Sequence, residues 1–171
     1  MSYAVSDTTE KALEQAIERS LTGTTSEAQA QGITEPAAYG VSGAYRLGHG
    51  SDFDATLALD TARFWAFLET TQSKALEKLK TRHPADWQAR ILGQYDKLIK
   101  RKGVLHLLKK GLPVEDAHFT LMYPAPLASS AQAVHDHFAA NVWSVTRQVH
   151  HSLANPNESI DMVLFVNGLP I

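Results

Sequence analysis

The sequence predicts an α+β fold, and three observations carry that prediction. Apolar residues recur at helical spacing in residues 12–21 and again through residues 60–110. Beyond Gly111 the period shortens to two, in residues 117–123, 142–151 and 160–166. The last of these runs into Asn167-Gly168, a dipeptide that favours a two-residue hairpin turn. Helices come first and a small sheet last, which is an α+β or mixed α/β arrangement in a single domain over residues 1–171.

Each element has its own signal. Thr8 or Thr9 can cap a first helix whose apolar residues are Ala12, Leu13, Ala16, Ile17 and Leu21, with Gly23 to end it. Residues 22–58 are rich in Gly, Ser, Thr, Ala and Gln, include Pro36, and read as an irregular excursion with little core. Asp60 opens a second helix to Arg82, striped by Trp65, Leu68, Gln72, Ala75, Leu76 and Leu79. Pro84 favours the start of a third, with Trp87, Ile91, Leu92, Tyr95, Leu98 and Ile99 at helical spacing. Gly103 breaks it, and a short helix over 104–110 is closed by Gly111.

The sheet elements follow. Residues 117–123 alternate and are closed by Pro124 and Pro126. Ser129 or Ser130 can cap a helix carrying Val134 and Phe138. Residues 142–151 place Trp143, Val145, Arg147 and Val149 on one face, and Asn155-Pro156-Asn157 forms a turn. In residues 160–166 both faces are apolar, so that strand is expected to be covered on both sides.

Bulk properties exclude several classes. At 171 residues the chain is long enough to bury a sizeable core. A net charge of -2 leaves no global nucleic-acid footprint, so any such contact must be a local patch. The absence of cysteine excludes disulfides and thiolate metal sites and suits the cytoplasm. No apolar run approaches the roughly 20 residues of a membrane span. The first residues lack the layout of a signal peptide.

A few residues could carry chemistry. Asp161 is a lone carboxylate at the start of an apolar strand, a costly place for an unpaired charge. It either bonds a turn backbone near Asn157 or Ser159, or sits at a wet rim where it can bind a cation. Glu10, Glu14 and Glu18 form an acidic stripe that is either solvated or reaches Asp161. Arg147, on an apolar strand face beside Gln148, needs a carboxylate or a phosphate.

The basic cluster Lys97, Lys100, Arg101, Lys102, Lys109 and Lys110 either meets phosphates or complements helix dipoles on a solvated surface. His135 and His137 point to different helix faces, and His150 and His151 to opposite strand faces, so neither pair suits a shared zinc ion. No phosphate-loop motif occurs, so ATP binding by this chain is not expected.

Several segments resemble the N-terminal region of the restriction (HsdR, motor) subunit of type I restriction enzymes. They are LEQAIERSL (13–21), FLETTQ (67–72), RKGVLHLLKKG (101–111), FTLMYPAP (119–126), NVWSVTRQVHHS (141–152) and, most specific, NESIDMVLFVNGLP (157–170). The resemblance spans nearly the whole chain and is weakest over 22–55. It implies a nuclease core of the PD-(D/E)xK kind, with the helical part packed on a partial restriction-endonuclease-like mixed sheet.

In that family the hairpin aspartate binds Mg2+, a Glu-x-Lys on the returning strand supplies a second carboxylate and a lysine, and a glutamate of the first helix often joins them. Asp161 matches the aspartate and metal ligand. Glu14 is the best match for the helical glutamate, with Glu18 behind it. The implied activity is Mg2+-dependent phosphodiester hydrolysis in defence against foreign DNA. The implied partners are double-stranded DNA and the modification and specificity subunits, with ATP bound by a motor region outside this chain.

The sequence stops at Ile171, ahead of any Glu-x-Lys, so the expectation is a nuclease-side fragment that does not cleave DNA by itself. The competing expectation is a non-catalytic module that contacts DNA or docks subunits. Its contacts would be Lys100, Arg101 and Lys102, with Arg147 and Gln148 as further candidates.

Overall fold

The computed structural model describes residues 4–32 and 45–171, with side chains described from Glu10 onward. Pro36 and the side chains of Thr8 and Thr9 lie outside the described part. The chain begins with α1 (Ala4–Thr22) and the short α2 (Ser26–Ala30). Next come β1 (Arg46–Leu47), a 3-10 turn over Gly50–Asp52, β2 (Phe53–Asp54) and β3 (Leu59–Asp60). Four helices follow: α3 (Thr61–Thr71), α4 (Ser73–Arg82), α5 (Trp87–Lys102) and α6 (Val104–Lys110). The chain then forms β4 (Leu112–Val114), β5 (Ala117–Phe119), α7 (Gln132–Ala139), β6 (Trp143–His150), β7 (Ser159–Val166) and β8 (Leu169–Pro170). This is the α+β arrangement the periodicities predict.

The main sheet is mixed, in the order β1-β6-β7-β8. β1 runs parallel to β6, and the other neighbours are antiparallel. The core lies between α3–α6, the β4–β5 hairpin and the β7–β8 end of this sheet. Phe64, Tyr95, Phe119, Leu68, Ile91 and Leu107 are fully buried there. Phe64 packs on Tyr95 with ring centroids 5.9 Å apart, and Trp65 meets Trp87 edge-on at 5.4 Å. Burying such aromatics contributes the largest apolar area per residue.

Several elements differ from expectation. α1 starts at Ala4, so Thr8 and Thr9 fall inside it, while Gly23 ends it with φ 78°. Residues 60–82 form two helices rather than one. The break is at Gln72, whose side chain donates to the Thr120 carbonyl at 2.8 Å and accepts from the Thr120 amide at 2.7 Å. That pairing holds Gln72 out of helical geometry and ties the helices to the chain after β5. It also helps to end β5 at Phe119, short of the expected Tyr123. The strand β4 was not expected at all; it pairs with β5 through Val114↔Ala117 around a turn in which Glu115 adopts φ 55°. Neither Ser129 nor Ser130 caps α7, because Ala131 takes the N-cap position and the Ser130 hydroxyl accepts from the Leu127 amide instead.

The Asn167-Gly168 turn forms as predicted, with both residues at positive φ. It is buried rather than solvated. The Asn167 side chain accepts from the Val142 amide at 2.7 Å and donates to the Leu121 backbone carbonyl at 2.9 Å and the Asn141 side-chain Oδ1 at 3.0 Å. A Cβ on Gly168 would lie 2.4 Å from the Asp60 carbonyl oxygen and 2.8 Å from the Phe64 nitrogen, so only glycine lets the turn seat on the start of α3. The returning strand then pairs through Val166↔Leu169 and Phe165↔Pro170.

Coverage of β7 on both sides holds only at its C-terminal end. Phe165 and Val166 are buried, whereas Ile160 and Asp161 are exposed. The packing reaches only that end: Val166 joins the core cluster and Phe165 meets Phe53 with ring centroids 6.0 Å apart. Among the described helices none is long and apolar enough to cross a membrane.

Candidate functional site

The first helix and the β6–β7 pair build one polar cleft of about 650 Å³, lined by Glu10, Lys11, Glu14, Glu27, Arg147, Gln148 and Asp161. Helical spacing places Glu10, Glu14 and Glu18 along one face of α1. That face, not the apolar one, turns inward. Glu18 and Thr22 are buried, while Leu13 and Ile17 are 62% and 41% exposed. The apolar stripe thus identified the helix but not its buried side.

Arg147 is what draws the acidic face in. Its Nε donates to Glu14 at 3.0 Å, and its Nη1 reaches Glu18 at 3.3 Å and Glu27 at 3.1 Å. Burial alone would lower the pKa of the guanidinium, but the bonds to Glu14, Glu27 and Glu18 outweigh it and hold the pKa above its ordinary value. Glu18 is fully buried and further satisfied by Ser26, whose amide and hydroxyl donate to it at 2.9 and 2.7 Å. The Glu27 carboxyl is held down at about 2, first by a hydrogen bond from Gln15, with its own backbone and Arg147 adding to this against a smaller opposing effect of burial.

Gln148 and Asp161 complete the rim. Gln148 adopts φ 51°, and the β6–β7 register runs from Trp143↔Val166 to His150↔Ser159 without pairing Gln148 to Asp161. The Gln148 side chain donates to both Glu14 oxygens at 3.2 Å and accepts from the Ser159 hydroxyl at 2.9 Å. The neighbouring turn does not use Asp161. Asn155 accepts from the Asn157 amide at 3.3 Å in its place, which leaves the Asp161 carboxylate facing the cleft.

Sequence-predicted residues therefore divide in two. Asp161, Glu14, Arg147 and Gln148 come together, and Glu18 stands behind Glu14 on Arg147. Lys100, Arg101 and Lys102 end α5 and do not line this cleft. Arg147 takes carboxylates as its partners, so its charge is already neutralised where a phosphate contact was a candidate. Glu27 was missed, because it lies in the irregular excursion. Thr25, which caps α2 by accepting from the Ala28 amide at 3.2 Å, was the local signal for a helix that would carry it.

The fit to a magnesium ion can be judged from these contacts. Hard cations require several oxygen ligands converging on one point. Among the described residues no three His, Asp or Glu side chains are grouped in that way. Glu14 is engaged by Arg147 and Gln148, and an arginine among the carboxylates opposes a second cation. The side chains of this chain alone do not fit magnesium. No family model matches the chain, and neither does a curated protein or a solved structure.

Proposed function

We infer that this chain is the nuclease-side N-terminal part of a DNA-cleaving, ATP-dependent type I restriction subunit, and that it does not cleave DNA by itself. The observation that carries the reading is the direction of the closing hairpin. The register Val166↔Leu169 and Phe165↔Pro170 leads any continuation of β8 back along β7 toward Asp161. At two-residue periodicity a continued strand comes alongside Asp161 within about four residues of Ile171. That is where the resemblance puts a Glu-x-Lys. Ahead of Phe165, β7 pairs with β6 alone among the described strands, and Asp161 in that stretch is exposed.

In this reading the described residues orient rather than react. Arg147 and Gln148 fix Glu14 at the cleft wall, and Gln148 bridges that wall to Ser159 two residues before Asp161. A second free carboxylate and a lysine beside Asp161 would give the oxygen set and the positive charge that phosphodiester hydrolysis requires.

Two measurements test the proposal. Reading the source gene past the Ile171 codon should give a Glu-x-Lys within about ten codons and a phosphate-loop motif further on; an unrelated sequence there counts against it. Purified chain should leave supercoiled plasmid intact with magnesium and ATP, and clear nicking by the purified protein would overturn the claim that it is inactive alone.

A further inference from the structure

From Pro124 to Ala140 not one residue is buried. The segment nevertheless folds a helix, α7, and carries Leu127 and Val134, which are 74% and 40% exposed. Neither of these two nor Phe138 packs against the core cluster. The hydrogen bonds that residues 124–140 make with described residues all stay within 124–141. They close the Leu127–Ser130 turn, link Gln132 to Asp136 and cap the end of α7.

A helix of eight residues is marginal in water when it stands alone. It therefore needs a docking contact to persist, and a ring stack supplies one. His137 lies flat on Tyr123, with ring centroids 4.7 Å apart and planes 11° from parallel. The base of the segment is built differently. The buried Asn141 side chain accepts from the Tyr123 amide at 3.0 Å and donates to the Tyr123 carbonyl at 2.8 Å, clamping residues 18 positions apart. Asn167 donates to the same Asn141 oxygen at 3.0 Å, which ties the clamp to the hairpin turn. Tyr123 is held in turn by the core residue Phe67, 5.8 Å away.

We propose that residues 124–140 form a lid that opens as one unit about the Tyr123–Asn141 clamp, with the His137–Tyr123 stack as its latch. Opening breaks the stack and the bonds inside the lid, and leaves the clamp, the core and the sheet closed. A segment with so few buried contacts opens far more readily than the whole fold. Opening bares one face of the Tyr123 ring, with Phe67 beside it. The proposal is independent of the nuclease reading, since no residue of the lid lines the Asp161 cleft.

The test is hydrogen–deuterium exchange of the full chain, followed by mass spectrometry in a urea series below the unfolding transition. The amides of α7 should exchange at least about a hundredfold faster than those of α5, and still slower than in an unfolded chain. Their rate should be flat in urea, because a local opening exposes little surface. His137→Ala should speed exchange in α7 by about two- to tenfold, the worth of one aromatic stack, and leave α5 unchanged. His137→Phe keeps a flat ring and should stay within about twofold of the parent. Protection of α7 equal to that of α5 overturns the proposal, as does unfolded-chain exchange of α7 in the parent, which would mean that no closed lid exists. An alanine variant that exchanges like the parent, that speeds α5 as much as α7, or that is matched by the phenylalanine variant removes the latch.

Discussion

The Nε of Arg147 donates to the Glu14 carboxylate at 3.0 Å, joining residues 133 positions apart. This contact, extended to Glu18 and Glu27, docks α1 on β6 with its polar face inward. One cation among three carboxylates is a demanding arrangement, tolerated because each carboxylate has another donor. Ser26 serves Glu18, Gln148 serves Glu14, and Gln15 serves Glu27.

Removing the guanidinium should therefore be costly. Arg147→Ala strands the fully buried Glu18 beside two further carboxylates, and the expected loss is about 3 kcal/mol or more. Arg147→Lys keeps the charge but offers no planar fork to span the three, so its stability should fall between the two. Urea denaturation of the three proteins measures this; an alanine variant as stable as the parent would show that Arg147 does not hold α1 in place.

The buried hairpin turn makes a second prediction. Asn167→Ala loses three side-chain bonds to Val142, Leu121 and Asn141 and places a Cβ-branchless but chiral residue at φ 51°. Unpaired buried groups and left-handed strain together should cost about 3 kcal/mol. Asn167→Gly relieves the strain but not the lost bonds, so it should recover about 1 kcal/mol of that. Thermal or urea unfolding separates the two contributions, and equal stability of the glycine and alanine variants would remove strain from the account.

Acid should reveal Glu27. Its folded pKa lies at about 2, below the ordinary 4.5, so the folded state favours the ionised form. Stability from this group is fully present above pH 4.5 and is lost as pH falls toward 2. Glu27→Gln should thus melt below the parent at pH 6, with the gap closing between pH 4.5 and 2. A gap independent of pH over that interval would place the effect of Glu27 in packing. The carboxyl is partly solvent-exposed, so the gap should be modest.

Local signals determined most of the helical half. Gly103 and Gly111 bracket α6 at the predicted residues 104–110, and Asp60 caps α3 by accepting from the Arg63 amide at 3.0 Å. Asn167-Gly168 likewise predicted its own turn. These succeed because caps, glycine conformations and hydrophobic periods act over a few residues. The helix break at Gln72 was not legible, since its cause is Thr120, 48 residues away.

The site divides along the same line. The sequence singled out Asp161, Arg147 and Gln148 by residue type and placement, and Glu14 through the resemblance, which picks it from the Glu10, Glu14 and Glu18 stripe. Only the tertiary structure decided that they share a cleft, that Arg147 is spent on Glu14, Glu18 and Glu27, and that the leucine-bearing face of α1 points outward. The physical reason is range. An apolar stripe shows that a helix has two faces, but which face is buried depends on the partner that long-range folding supplies, and here that partner is the half-buried cation of Arg147.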